Sequence, residues 1–179
     1  MSYNGVENST LAFIRDSNLT LRSTNFESFV VESTDTRVSV LADNQAKIWT
    51  LAAGGAGAVA GGGASSGNSF TGSLAGSVAL NTIAGPTRAK LIDTTVTLQA
   101  GSYASDVTVL AKDASTIFAI AGSLSLSLAK GGSNNAVAIS AGVAIAVNRI
   151  ATDVDSLIET SLVTWQLDQV GNFLAKAES

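Results

Sequence analysis

The chain has 179 residues, 10 basic and 14 acidic side chains, a net charge of −4, and 46% hydrophobic but only 6% aromatic residues. It has no His and no Cys, which excludes Ser-His-Asp and Cys-His nucleophiles, His- or Cys-ligated zinc, iron–sulfur clusters and disulfides. A charged fraction of 13% with an acidic excess leaves no basic footprint, so nucleic acid is not an expected partner.

In chain order, residues 1–10 are polar, with neither a basic nor an apolar region of the kind a secretory signal needs. Alternation of apolar and other residues then marks short strands at Leu19 and Leu21 and at Val38 and Val40. Residues 48–87 contain no Asp, Glu, Lys or Arg. A membrane span needs about 20 mostly apolar residues, and the Gly-rich stretch 51–64 is followed by Ser65, Ser66, Asn68 and Ser69. Membrane insertion is therefore not expected. Period-two alternation resumes at Leu74, Val78 and Leu80, then at Val96 and Leu98 and at Val107 and Val109. It is clearest in residues 117–128, where Phe118, Ile120, Leu124, Leu126 and Leu128 alternate with Ala and Ser, and in 137–147, where Val137, Ile139, Val143, Ile145 and Val147 do the same. β-Branched residues and serines at alternating positions suit a pleated surface better than a helix. The expectation is an all-β chain with its large side chains in a dry interior. Residues 167–176 carry Leu167, Val170, Phe173 and Leu174 at helix-like spacing, which predicts a short amphipathic helix as an end cap or docking segment.

The chain repeats itself. Val38-Ser39-Val40-Leu41-Ala42 matches Val107-Thr108-Val109-Leu110-Ala111 at an offset of 69, which holds from Ile48-Trp49 to Ile117-Phe118. Asn81 falls on Asn148 at 67, Leu91-Ile92-Asp93-Thr94 on Leu157-Ile158-Glu159-Thr160 at 66, and Asp16 on Asp93 at 77. This reads as a single domain over 1–179, with an incomplete repeat at 12–35, full repeats at 36–104 and 105–165, and a terminal segment at 166–179. Such units bury their apolar faces by stacking, which predicts a β-solenoid. With about 22 residues per coil and rungs about 4.8 Å apart, each repeat would make about three coils. An antiparallel meander or sandwich, with 117–129 and 136–149 as a long hairpin, is the alternative fold.

The segments Leu51-Ala52-Ala53-Gly54-Gly55-Ala56-Gly57, Gly76-Ser77-Val78-Ala79-Leu80-Asn81-Thr82-Ile83 and Ala89-Lys90-Leu91-Ile92-Asp93-Thr94-Thr95-Val96-Thr97 resemble the repeats of large bacterial adhesin-like exoproteins, including autotransporter passengers. The second copy keeps the order with Ala144-Ile145-Ala146-Val147-Asn148-Arg149-Ile150. The resemblance implies a right-handed parallel β-helix, an extracellular or cell-surface location, and partners among surface or matrix proteins or glycans; solenoid ends able to stack head to tail add further copies of the chain as partners.

Asp16, Asp93 and Glu159 match in the repeat and could offer oxygens to calcium. Copies three coils apart would hold them about 14 Å from one another, so solvated turn carboxylates are the favoured reading and no cofactor is expected. Asn81 and Asn148 are read as turn caps or members of an Asn ladder, and Trp49 and Phe118 as stacked core aromatics. The glycines at 61–63 and 131–132 lack the following Lys-Ser or Lys-Thr of a phosphate loop. Thr95-Val96-Thr97 has the spacing of an ice-binding face but stands as one instance. Three functions follow: a non-enzymatic structural or adhesive surface module, a self-assembling filament or matrix subunit, and a carboxylate-dependent polysaccharide enzyme. The last would use Asp153 and Asp155 near Glu159, with no evident aromatic and basic groove beside them.

Overall fold

The computed structural model describes residues 1–21, 36–61, 68–98, 105–130, 135–165 and 171–179. Twelve strands occur among them: β1 (Ser2–Glu7), β2 (Thr10–Arg15), β3 (Asn18–Leu21), β4 (Thr36–Asn44), β5 (Lys47–Gly61), β6 (Ser69–Ile92), β7 (Thr95–Leu98), β8 (Ser105–Asp113), β9 (Thr116–Lys130), β10 (Ala136–Glu159), β11 (Leu162–Trp165) and β12 (Phe173–Glu178). No helix is present among the described residues. Phe173 and Leu174, expected in a capping helix, instead open β12, which pairs with β8 from Phe173↔Val107 to Glu178↔Lys112. The exposed edge of β8 offers this segment a ladder of backbone partners, and that pairing overrides its helical spacing. Leu167 and Val170 lie outside the described residues.

The strands form sheets in the orders β1-β6-β10 with β2 also on β6, β11-β7-β3, β12-β8-β4 and β5-β9. β2 and β3 pair with β6 and β7 in parallel at an offset of 77, as in Thr10↔Thr87 and Asn18↔Thr95. β4 and β5 pair with β8 and β9 in parallel at 69, as in Val38↔Val107 and Lys47↔Thr116. β11 on β7 runs at 67 and β12 on β8 at 66. The offsets of 77, 69 and 67 are thus registers of the sheets, while the 66 read for residues 91–94 is 67 at Asp93, whose N–H donates to Glu159 O, and successive copies are immediate neighbours rather than three layers apart. The expected coil of about 22 residues fails because the repeat is spent in long strands, two of them 24 residues long. The segments expected as an antiparallel hairpin, β9 and β10, belong to different sheets.

The chain clusters into two compact units that cut across the repeats. Unit 1 comprises residues 1–6, 47–83 and 116–150, and unit 2 comprises 7–46, 84–115 and 151–179.

Unit 2 has an aliphatic core. Leu91, Val96, Leu98, Val107, Val109 and Ala111 are fully buried, Val38, Val40 and Ala42 nearly so, and Ile14, Leu19, Leu21, Ile158, Val163 and Trp165 pack against them. Parallel pairing with straight register puts like on like, as in Leu19, Val96 and Val163 across β3, β7 and β11. Each such side chain contributes about 1.5–3 kcal/mol by leaving water. Trp165 meets Phe173 edge-on at 6.5 Å, within the range of a favourable aromatic pair. One turn, repeated in each copy, keeps the strands aligned. Asp16, Asp93 and Thr160 adopt left-handed φ of 51°, 47° and 48°, and Asp16 N donates to Ile92 O while Asp93 N donates to Glu159 O. Gly85 has φ 140° beside Pro86, opposite the gap between β1 and β2, and a Cβ there would collide with the Asn8 carbonyl. Pro86 is tolerated in a central strand because its partner strand is interrupted at that point.

Unit 1 is built the other way round. Its inward positions are small or polar: Thr50, Ala52, Thr71, Ala75, Ser77, Ala79 and Asn81 are buried, with Ile48 and Ile83 as the large exceptions. β5 lies against β6 so closely that a Cβ at Gly54 would collide with the Gly76 carbonyl oxygen. Facing sheets ordinarily stand about 10 Å apart; here small side chains allow closer approach. Hydroxyls join the layers: Ser73 and Ser125 Oγ are 2.7 Å apart, Ser73 also donates to Leu126 O and Ser125 to Ser73 O. The Ser77 hydroxyl is buried with no partner, a local cost of about 1–3 kcal/mol.

Candidate interaction surface

Because the inward face of unit 1 is taken by small residues, its large residues point outward. Trp49, Leu51 and Val59 on β5 are 75–79% exposed. Beside them, Phe118, Ile120, Leu124, Leu126 and Leu128 on β9 are also exposed. Parallel register makes columns of Trp49 with Phe118 and Leu51 with Ile120, and the Trp49 and Phe118 rings stand 4.9 Å apart at 44°. These two aromatics, expected in the core, are stacked on the surface: at 76% and 47% exposure they lie on the parity that the close Gly54–Gly76 approach turns outward. Phe70, Leu74, Val137, Ile139, Val143, Ile145 and Val147 form a second apolar outer face, on β6 and β10, that points away from the first. A typical monomer's largest apolar patch is only about 300–600 Å².

Within unit 1, amides form a ladder. Asn4 Nδ2 donates to Asn81 Oδ1 at 2.9 Å, and Asn81 Nδ2 to Asn148 Oδ1 at 2.8 Å. Thr50 Oγ1 adds a 2.6 Å bond to Asn81 Oδ1. Asn81 and Asn148 therefore do meet, and Asn4 and Thr50 are members that the sequence reading missed. Asn4 precedes Asn81 by 77 residues, the same offset that separates Asp16 from Asp93 and sets the register of β2 on β6 and of β3 on β7.

A second polar network closes the core of unit 2. Asn8 Nδ2 donates to Asn44 Oδ1, Asn44 Nδ2 to Asp113 Oδ2 at 2.8 Å, and Ser115 N to Asp113 Oδ1 at 2.8 Å. Burial acts to raise the Asp113 pKa, but hydrogen bonds from Ser115, Asn44 and Thr87 together hold it below the ordinary carboxylate value. Asn44 and Asp113 are in direct register, so the shared Asn-or-Asp at an offset of 69 was the signal that could have found them.

Asp16 and Asp93 occupy matching turns of adjacent copies, between β2 and β3 and between β6 and β7, about one strand spacing of 4.8 Å apart rather than about 14 Å. The third member of their column is Thr160, since Thr95 pairs with Leu162, and Glu159 falls one residue short. Among the described residues no cluster of three acidic side chains forms. Asp153 and Asp155 are both held by Arg88, at 2.7 Å to Nη2 and 3.3 Å to Nε. The hydrogen bond that Arg88 donates to Asp153 raises the Arg88 pKa against the lowering effect of burial. A groove of about 300 Å³ beside Arg88 is lined by Phe13, Arg15, Lys90 and neighbouring residues, so an aromatic and basic groove absent from the sequence reading does exist in unit 2. Thr20, Thr97 and Thr164 also share a column, where the sequence showed a single Thr-x-Thr.

Comparison with family models, with curated proteins and with solved structures returns no match.

Proposed function

We propose that the chain is a non-enzymatic structural and adhesive module of a bacterial surface or extracellular protein. Its parallel copies would be the coils of a right-handed β-solenoid, and the two apolar outer faces of unit 1 would be the surfaces that make contact. The observation that carries this is the reversal of faces in unit 1. Large aliphatic and aromatic side chains held outward on two layers, over an interior too thin to take them, suit a contact that removes them from water. The pairing of both Asp153 and Asp155 with Arg88 supports the non-enzymatic reading over carboxylate catalysis. Self-assembly is the second reading, favoured by exposure of both faces of β10 from Ala136 to Ala151.

The test is retention of the full chain on phenyl-coated beads against hydroxyl-coated beads of equal size, alongside the triple variant Trp49→Ser, Leu126→Ser, Ile145→Ser. Selective retention on phenyl beads, reduced about tenfold in the variant with its circular dichroism unchanged, is the expected result; tenfold corresponds to about 1.4 kcal/mol. Equal retention on both beads, or retention indifferent to the substitutions, overturns the assignment of these faces.

A further inference from the structure

In unit 1, β10 and β9 are each the outermost strand on the same side of their sheets, while β1 and β5 are outermost on the other. On β6 the inward residues Ala75, Ala79 and Asn81 are 3%, 0% and 1% exposed, because β5 and β9 lie over them. The matching positions on β10, taken from the contact of Asn81 with Asn148, are Gly142, Ala146 and Asn148. They are equally small and yet exposed. Gly142 does have β9 beside it, since a Cβ there would stand 2.6 Å from Ser123 Oγ. The inward face of β10 is thus covered from one side and open on the other. The shape that fits the opening is a strand with small residues inward, large residues outward and a hydroxyl level with the Asn. β5 has that pattern in Thr50, Ala52, Gly54 and Ala56, and already presents it to β6.

The amide ladder has a direction. Each Nδ2 donates to the Oδ1 of the next copy, from Asn4 to Asn81 to Asn148. Among the described residues, Asn148 Nδ2 is left as a donor with no protein acceptor, and Asn4 Oδ1 as an acceptor with no protein donor. The two ends of one ladder are therefore complementary to each other. Nor is the β10 edge guarded: from Ala136 to Asn148 it holds no charge and no Pro, the usual means of blocking strand addition.

We propose that a second copy of this chain adds its β1 and β5 to the free edges of β10 and β9, in parallel, with Asn148 Nδ2 donating to Asn4 Oδ1 of that copy. This rests on the stacked-copy reading of the function and names its partner. The contact continues the one that already joins successive copies within the chain. It is heterologous and does not close, so it propagates as a filament.

The experiment is electron microscopy and light-scattering mass of the full chain over a concentration series. Two variants accompany it. Asn148→Asp keeps the acceptor for Asn81 and removes the outgoing donor; Ala144→Lys puts a charge on the open inward face. Filaments that lengthen with concentration, with the threshold for assembly raised about tenfold by Asn148→Asp and assembly lost in Ala144→Lys, are expected. Unchanged circular dichroism and unfolding midpoint show that both variants fold. The double variant Phe70→Ser, Leu74→Ser, on the exposed face of the central strand β6 and away from the joining edges, separates the two proposals: its phenyl-bead retention should fall while its assembly matches that of the unsubstituted chain. A single molecular mass at all concentrations overturns end-to-end addition while leaving phenyl-bead retention to stand or fall alone. Assembly lost only in the outer-face variant also overturns it, by showing that the copies meet through their apolar faces.

Discussion

Units 1 and 2 share strand alternation and parallel register but sort their side chains oppositely. In unit 2 the β-branched and leucine positions of β7 and β8 converge on a core where Val96, Leu98, Val107 and Val109 are fully buried. In unit 1 the equivalent large positions of β5 and β9 face out, and Ala, Ser, Thr and Gly face in. Alternation therefore specifies which residues share a face without specifying which face is inside. The distance allowed between layers decides that, and in unit 1 glycine sets the distance.

The largest effect that separates the units is truncation of a leucine. Leu91→Ala in unit 2 should cost about 2–5 kcal/mol in urea unfolding, whereas Leu126→Ala, at 68% exposure, should stay within about 0.5 kcal/mol. Equal losses would mean that the outer face of unit 1 is covered in solution. Next comes the thin interior. Gly54→Ala should lower stability by about 1–3 kcal/mol through overpacking, with faster amide exchange in β5 and β6, while Gly55→Ala, which meets nothing within 4 Å, should change little. A harmless Gly54→Ala would show that the layers can separate and that their closeness does not set the faces.

The smallest effect concerns pH. The Asn4–Asn81–Asn148 ladder of unit 1 is uncharged, but the network of unit 2 contains Asp113, whose pKa is lowered in the folded state. A depressed carboxylate stabilises above its unfolded value of about 3.9, and that contribution is lost as pH falls through the folded value. Unfolding at pH 7 and pH 3 should show a loss that is smaller in Asp113→Asn. Amide exchange at Asn81 should be insensitive to that substitution. An identical acid response in both proteins would remove Asp113 from the account.

Much of the fold was legible. Self-similarity at 69, 67 and 77 anticipated the registers because parallel copies in a sheet stack residue on residue. The number of coils per copy was not legible, since an offset says nothing about where the chain turns, and Asp16, Asp93 and Thr160 turn it by left-handed φ that no composition signal marks. Glu159 was misplaced by one residue for the same reason: matching carboxylates by type shifted the alignment off the hydrogen-bonded register. Trp49 and Phe118 were paired correctly and placed on the wrong side. The missed signal was the run of Gly and Ala on the opposite parity of β5, which leaves no depth for an indole.

The registers also divide the molecule into fixed and variable lengths. Offsets of 77 on β3 and 69 on β4 mean that the stretch between Leu21 and Thr36 carries eight residues more than the one between Leu98 and Ser105. Between β5 and β6 the excess over the next copy is two residues, and within each paired stretch the register runs residue for residue without a break. The repeat has thus drifted in length only in its connectors, where a change shifts no side chain from one face to the other. In the strands, loss of a single residue would exchange inside for outside along the whole ladder. Drift confined to the connectors is how copies of unequal length still stack in step.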